Sequence, residues 1–115
     1  MAAEREPPTL ADYVQHMEHA LKVCGEDHVG VGTDVPFLPV TEEVLENMRK
    51  SVEERKKAGI SAPGEDRPAY IPEVNTPRKM ELVASALLDR GHPTRVVEKV
   101  LGANFRRVFG EIFPA

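Results

Sequence analysis

The stretch Asp27-His28-Val29-Gly30-Val31-Gly32-Thr33-Asp34 constrains this chain more than any other, because it is the one segment that reads as a β-strand. Side chains in a strand alternate between two faces. Val29, Val31 and Thr33 therefore share one face, and His28, Gly30, Gly32 and Asp34 share the other. The valine face suits packing against a layer of helices. The glycine face carries no bulk, leaves room for whatever it points at, and ends in a carboxylate. In a parallel α/β fold a polar residue at the carboxyl end of a strand stands where ligands bind. Asp is also common where a strand enters a turn, accepting hydrogen bonds from backbone N–H groups two residues on. Both readings of Asp34 remain open on the residues alone.

The rest of the chain reads as helices joined by proline-marked connections. Residues 1–8 form a flexible lead-in, polar and acidic, without the basic and apolar regions of a signal peptide, so the default expectation is a cytoplasmic location. The domain proper is expected over 9–115. Thr9 caps a helix to about Cys24, whose Leu10, Tyr13, Val14, Met17, Leu21 and Cys24 make one apolar stripe, with Gly25 as the stop. Cys24 is the only cysteine, which excludes an intrachain disulfide, and its place on the stripe predicts a buried structural thiol. His16 and His19 share the opposite face. With no third ligand at matching spacing they read as solvated surface histidines rather than a metal site.

After the strand, Val35-Pro36-Phe37-Leu38-Pro39-Val40 is apolar but broken by prolines, hence a loop. Thr41 caps a second helix through about Ala58, mostly charged and docked by the narrow stripe Val44, Leu45, Met48 and Val52. Residues 59–75 form a long connection that Tyr70 and Ile71 would anchor. Thr76-Pro77 opens a third helix with Met80, Val83, Ala84, Leu87 and Leu88 inward, closed by Gly91. Thr94 caps a short fourth helix that Gly102 closes. A fifth, from Asn104 to about Ile112, buries Phe105, Val108, Phe109 and Ile112.

One strand among about five helices poses a physical problem, since a lone strand leaves the backbone groups of both edges unpaired. The chain therefore reads as an α/β piece, incomplete on its own, or as a subunit that borrows strands from a partner. A net charge of −4 and the absence of tryptophan give no reason to expect nucleic acid. No apolar run approaches the ~20 residues of a membrane span.

Three separated stretches, in order, resemble one family. The helix Asp12-Tyr13-Val14-Gln15-His16 through Val23, followed by Gly25 to Asp34, is similar to the closing portion of the membrane (renal-type) dipeptidases, zinc enzymes of the metal-dependent hydrolase superfamily. Pro72-Glu73-Val74-Asn75-Thr76-Pro77 leads into a helix ending Arg90-Gly91-His92. Val100-Leu101-Gly102-Ala103-Asn104-Phe105-Arg106-Arg107-Val108-Phe109 looks like that family's C-terminal Gly-Gly-Asn-Phe signature, with Ala103 in place of the second glycine. The likeness runs from Ala11 onward.

This resemblance implies the C-terminal segment of a (β/α)₈ TIM-type barrel, supplying its last strand and the helices around it. It implies two zinc ions whose ligands lie upstream; none of His16, His19, His28 or His92 falls on a ligand position. It implies that Asp34 is catalytic, faces the metal-bound water, helps activate it and passes a proton to the leaving amine of a dipeptide substrate. The family pattern Asp-Phe-Asp-Gly departs here to Asp34-Val35-Pro36-Phe37, which bears on substrate preference. The expected function is thus the closing part of a zinc dipeptidase, in need of the missing barrel strands or of self-association. The alternatives are a catalytically inactive, truncated fragment acting as an oligomeric or interaction module, and one half of a two-gene enzyme.

Overall fold

The computed structural model describes residues 6–35 and 38–113. Residues 1–5 of the expected lead-in, and Pro36 and Phe37 of the apolar loop, lie outside the described residues. The expectation of an α/β barrel segment is overturned: the described residues form helices and contain no strand or sheet. The elements are α1 (Leu10–Cys24), α2 (Glu42–Lys57), a 3₁₀ turn (Pro72–Val74), α3 (Lys79–Asp89), α4 (Thr94–Glu98), a π-type turn (Lys99–Ala103) and α5 (Asn104–Ile112). Among the described residues no helix is long and apolar enough to cross a membrane.

Local chemistry accounts for most boundaries. Thr9 and Asp12 form a reciprocal capping box at the start of α1: the Thr9 hydroxyl accepts from the Asp12 N–H at 3.1 Å, and the Asp12 carboxylate accepts from the Thr9 N–H at 3.0 Å. The Thr9 backbone N–H, and after it the Thr9 side chain, hold the Asp12 carboxyl below its ordinary pKa. Thr41 caps α2 through the Val44 N–H at 3.3 Å. Thr76 does not cap α3. Its carbonyl accepts from the Lys79 N–H in a turn, and the helix begins at Lys79. Gly102 does end the fourth helical run: its φ of 175° and ψ of −24° are non-helical, and the chain kinks there before it enters α5.

The core is small. Val14 and Met17 of α1, Val83 and Leu87 of α3, and Val96, Val97 and Val100 beyond it are buried, together with Val29. Cys24, expected inside, is exposed at the end of α1. The stripe predicted for α5 faces solvent, with Phe109 54% and Ile112 59% exposed. No residue of α2 is buried; the segment after it is tied back by Arg55–Glu65 at 2.7 Å. The radius of gyration is 17.0 Å, against about 13 Å for a compact domain of this length. The chain's apolar surface outruns the surface it folds against.

One polar clasp joins α1 to the turn after α3. The Glu18 carboxylate accepts from Arg90 Nη2 at 2.5 Å and sits 2.9 Å from His92 Nε2. The Arg90 hydrogen bond, then that of His92, lowers the Glu18 pKa below its ordinary value. A carboxyl lowered by folding stabilises the folded state above its unfolded pKa, and that stability drains away as pH falls through the folded one. Glu18→Gln is therefore expected to lower the Tm by a few degrees at pH 7 and by less at an acidic pH, because the wild-type carboxyl loses its charge as pH falls through its lowered folded pKa. Thermal melts at the two pH values check this. An equal gap at both would mean that packing, not charge, is what the substitution removes.

Candidate functional site

The segment predicted as a strand has no regular secondary structure. Among the described residues, Val29 to Asp34 exchange no backbone hydrogen bond with another segment. The predicted alternation of faces is nonetheless present in the burial. Val29 is buried and Val31 and Thr33 are half-buried, while His28, Gly30, Gly32 and Asp34 are exposed. The pattern fixes which side chains meet the helices; the sheet partner that would make the segment a strand is not among the described residues.

A side chain that the sequence reading passed over holds this segment. Asn104, only 6% exposed, donates from Nδ2 to the carbonyls of Glu26 at 2.8 Å and Val29 at 2.9 Å. Its Oδ1 accepts from Arg107 Nη1 at 3.4 Å, and Arg107 Nη2 donates to the Asp27 carbonyl at 2.7 Å. Lys99 Nζ adds a 2.8 Å bond to the Asp27 carboxylate and thereby lowers the Asp27 pKa. The turn leading into this segment is thus stapled to the junction of the π-type turn and α5. The signal that could have found Asn104 is its residue type at the start of α5, where an amide has donors that the helix itself does not use.

The glycine face is not uniformly open. A Cβ on Gly30 would lie 2.3 Å from the Phe105 ring, so this glycine is where the first aromatic of α5 approaches the backbone. Gly32 has no atom within 4 Å of such a Cβ, and the space beside it is free. The segment ends at Asp34, whose φ of 52° makes it the one non-glycine residue with positive φ among those described. This conformation costs of order 1 kcal/mol for an L-residue, less for Asp than for bulkier ones. The Thr33 hydroxyl, not Asp34, bonds the following turn, donating to the Val35 carbonyl at 3.3 Å. Among the described residues the Asp34 carboxylate accepts no hydrogen bond and joins no ion pair, so the turn-capping reading gains no support.

The other titratable groups singled out in the sequence do not gather around Asp34. His16 and His19 are exposed on α1, His28 is exposed at the start of the segment, and His92 belongs to the Glu18 clasp. Among the described residues no group of three His, Cys, Asp or Glu side chains is placed to hold a metal ion. The described residues do not fit a two-zinc centre on their own. No family model matches the sequence, and no solved structure matches the chain.

Proposed function

We propose that this chain acts as the closing segment of a zinc dipeptidase, contributing Asp34 to a site whose metal ligands come from outside it. The observation that carries this reading is the staple. Asn104 joins the Gly25–Asp34 stretch to the C-terminal Gly-Ala-Asn-Phe stretch, two of the three stretches that resemble the family. Their meeting supports the view that the likeness belongs to one working unit. Asp34, exposed and without a hydrogen bond or ion pair among the described residues, would take a proton from the attacking water and return it to the departing amine nitrogen of the dipeptide. The expanded shape and the unpaired edges of Val29–Asp34 favour a chain that works only with further segments or a partner.

A second reading rests on the exposed aromatics of α5. Phe105, Phe109 and Phe113 form a ladder with ring centroids 5.9 and 6.3 Å apart, open to solvent. Such a patch suits a non-catalytic module that associates with itself or another protein. Two measurements separate the readings: the intact mass of the protein isolated from its source, and the zinc it carries. The dipeptidase reading expects a mass well above that of 115 residues, or a tightly held partner chain, together with bound zinc and hydrolysis of dipeptides. A single chain of this length, free of zinc and inactive, would favour the module.

A further inference from the structure

A cavity of about 180 Å³ lies between α1, the 68–75 connection and the start of α3. Its wall is largely apolar, with Tyr13, Val35, Tyr70, Ile71 and Val83 among the residues that form it. Two ties hold the wall in place. The Glu73 carboxylate accepts from the Leu10 N–H at 2.8 Å and fixes the connection to α1. The Asn75 amide accepts from the Val40 N–H at 2.7 Å and donates to the Val40 carbonyl at 2.9 Å, which fixes the connection to the segment before α2. The polar side chains around the cavity are already engaged. Asn75 gives its amide to Val40, the Thr33 hydroxyl donates to the Val35 carbonyl at 3.3 Å, and Lys79 has an interaction of its own. Among the described residues no side-chain nitrogen or oxygen of the wall is buried without a partner. Such a space gives water little to bond, and an apolar cavity of about 150 Å³ stays dry and accepts benzene.

We propose that this cavity is a binding site for a neutral apolar molecule of single-ring size, of the toluene class, held by contact with its aliphatic and aromatic wall. Volume sets the size of the guest, and the engaged polar groups set its neutrality: a charged group brought inside would lose its water and find no free partner. The site stands apart from the Asp34 carboxylate, which is not part of the wall. The inference does not rest on the dipeptidase reading, and its test involves no hydrolysis.

Ligand-observed saturation-transfer NMR on the full chain, with toluene against sodium benzoate, provides that test. Toluene is expected to bind saturably with a Kd of roughly 0.1–1 mM, as its few atoms allow. Benzoate, of similar shape, should bind at least about tenfold more weakly, because its carboxylate must be stripped of water. The toluene ring protons should show Overhauser contacts to Ile71 and Val83. Gly32→Leu supplies the variant: Gly32 lines the cavity, and a Cβ there would meet no atom within 4 Å, so the new side chain has room. That substitution should remove the saturable signal while circular dichroism stays unchanged. The wild-type comparison of the two probes decides the matter even if the variant does not fold. Benzoate binding as tightly as toluene, no saturation by toluene, a folded Gly32→Leu chain that binds toluene as well as wild type, or contacts confined to the exposed phenylalanines of α5 would overturn the proposal.

Discussion

Asn104→Asp is expected to cost about 3–5 kcal/mol of folding stability at neutral pH. The wild-type amide nitrogen gives two protons to two backbone carbonyls in a buried site. A carboxylate of the same shape has none to give, and it sets an anionic oxygen against the Glu26 and Val29 carbonyls at distances where donors had been. Arg107, which already reaches Oδ1, offsets only part of this. Asn104→Ala should cost less, about 2–3 kcal/mol, because it leaves the two acceptors unsatisfied without adding a charge. Urea titrations of the three proteins at pH 7 check the order. The pH dependence adds a second check. The substituted carboxyl regains one donor when protonated, so the gap between the Asp variant and wild type should narrow as pH falls below about 5. A cost under about 1 kcal/mol for Asn104→Asp would mean that Lys99 and Arg107 alone hold the turn.

What was legible in the sequence, and what was not, divides along one physical line. Patterns that select a face could be read. The alternation of Val29, Val31 and Thr33 is reproduced in their burial, and the stripe of α1 does bury Val14 and Met17. The two threonines that cap α1 and α2 do so through their hydroxyls. Patterns that need an opposing surface could not be read, because periodicity names the apolar side without saying what it meets. Phe109 and Ile112 have the right spacing but stay more than half exposed, and Phe105 is covered only in part, with its ring against the Gly30 backbone. Val29 to Asp34 have strand character without a second strand. Cys24 falls on the stripe of α1 but stands at the end of the helix, and the burial of that face stops short of it. Asp34 shows the same division: its place at the end of an alternating segment was legible, its left-handed backbone was not.

That backbone gives the proposed catalytic role a sharp test. In an assembly that joins this chain to the further segments the dipeptidase reading calls for, Asp34→Asn is expected to lower kcat at least about a hundredfold, the usual scale for removing a positioned proton carrier. An amide keeps the size of the carboxylate and tolerates positive φ nearly as well, so folding should be little affected. Zinc content should stay near that of the parent, because Asp34 is proposed to move a proton rather than to anchor metal. Asp34→Gly sharpens the test from the other side. Glycine adopts a φ of 52° without penalty. It should therefore leave stability unchanged or raise it by up to about 1 kcal/mol while losing activity as the Asn variant does. A turn residue predicts the opposite outcome for both, since Asn and Gly each satisfy the backbone and neither would slow the reaction. Steady-state hydrolysis of a dipeptide, with metal analysis and thermal melts on the same samples, separates the cases. If either variant keeps kcat within a few-fold of the parent, Asp34 serves only the turn and the proton-transfer assignment fails.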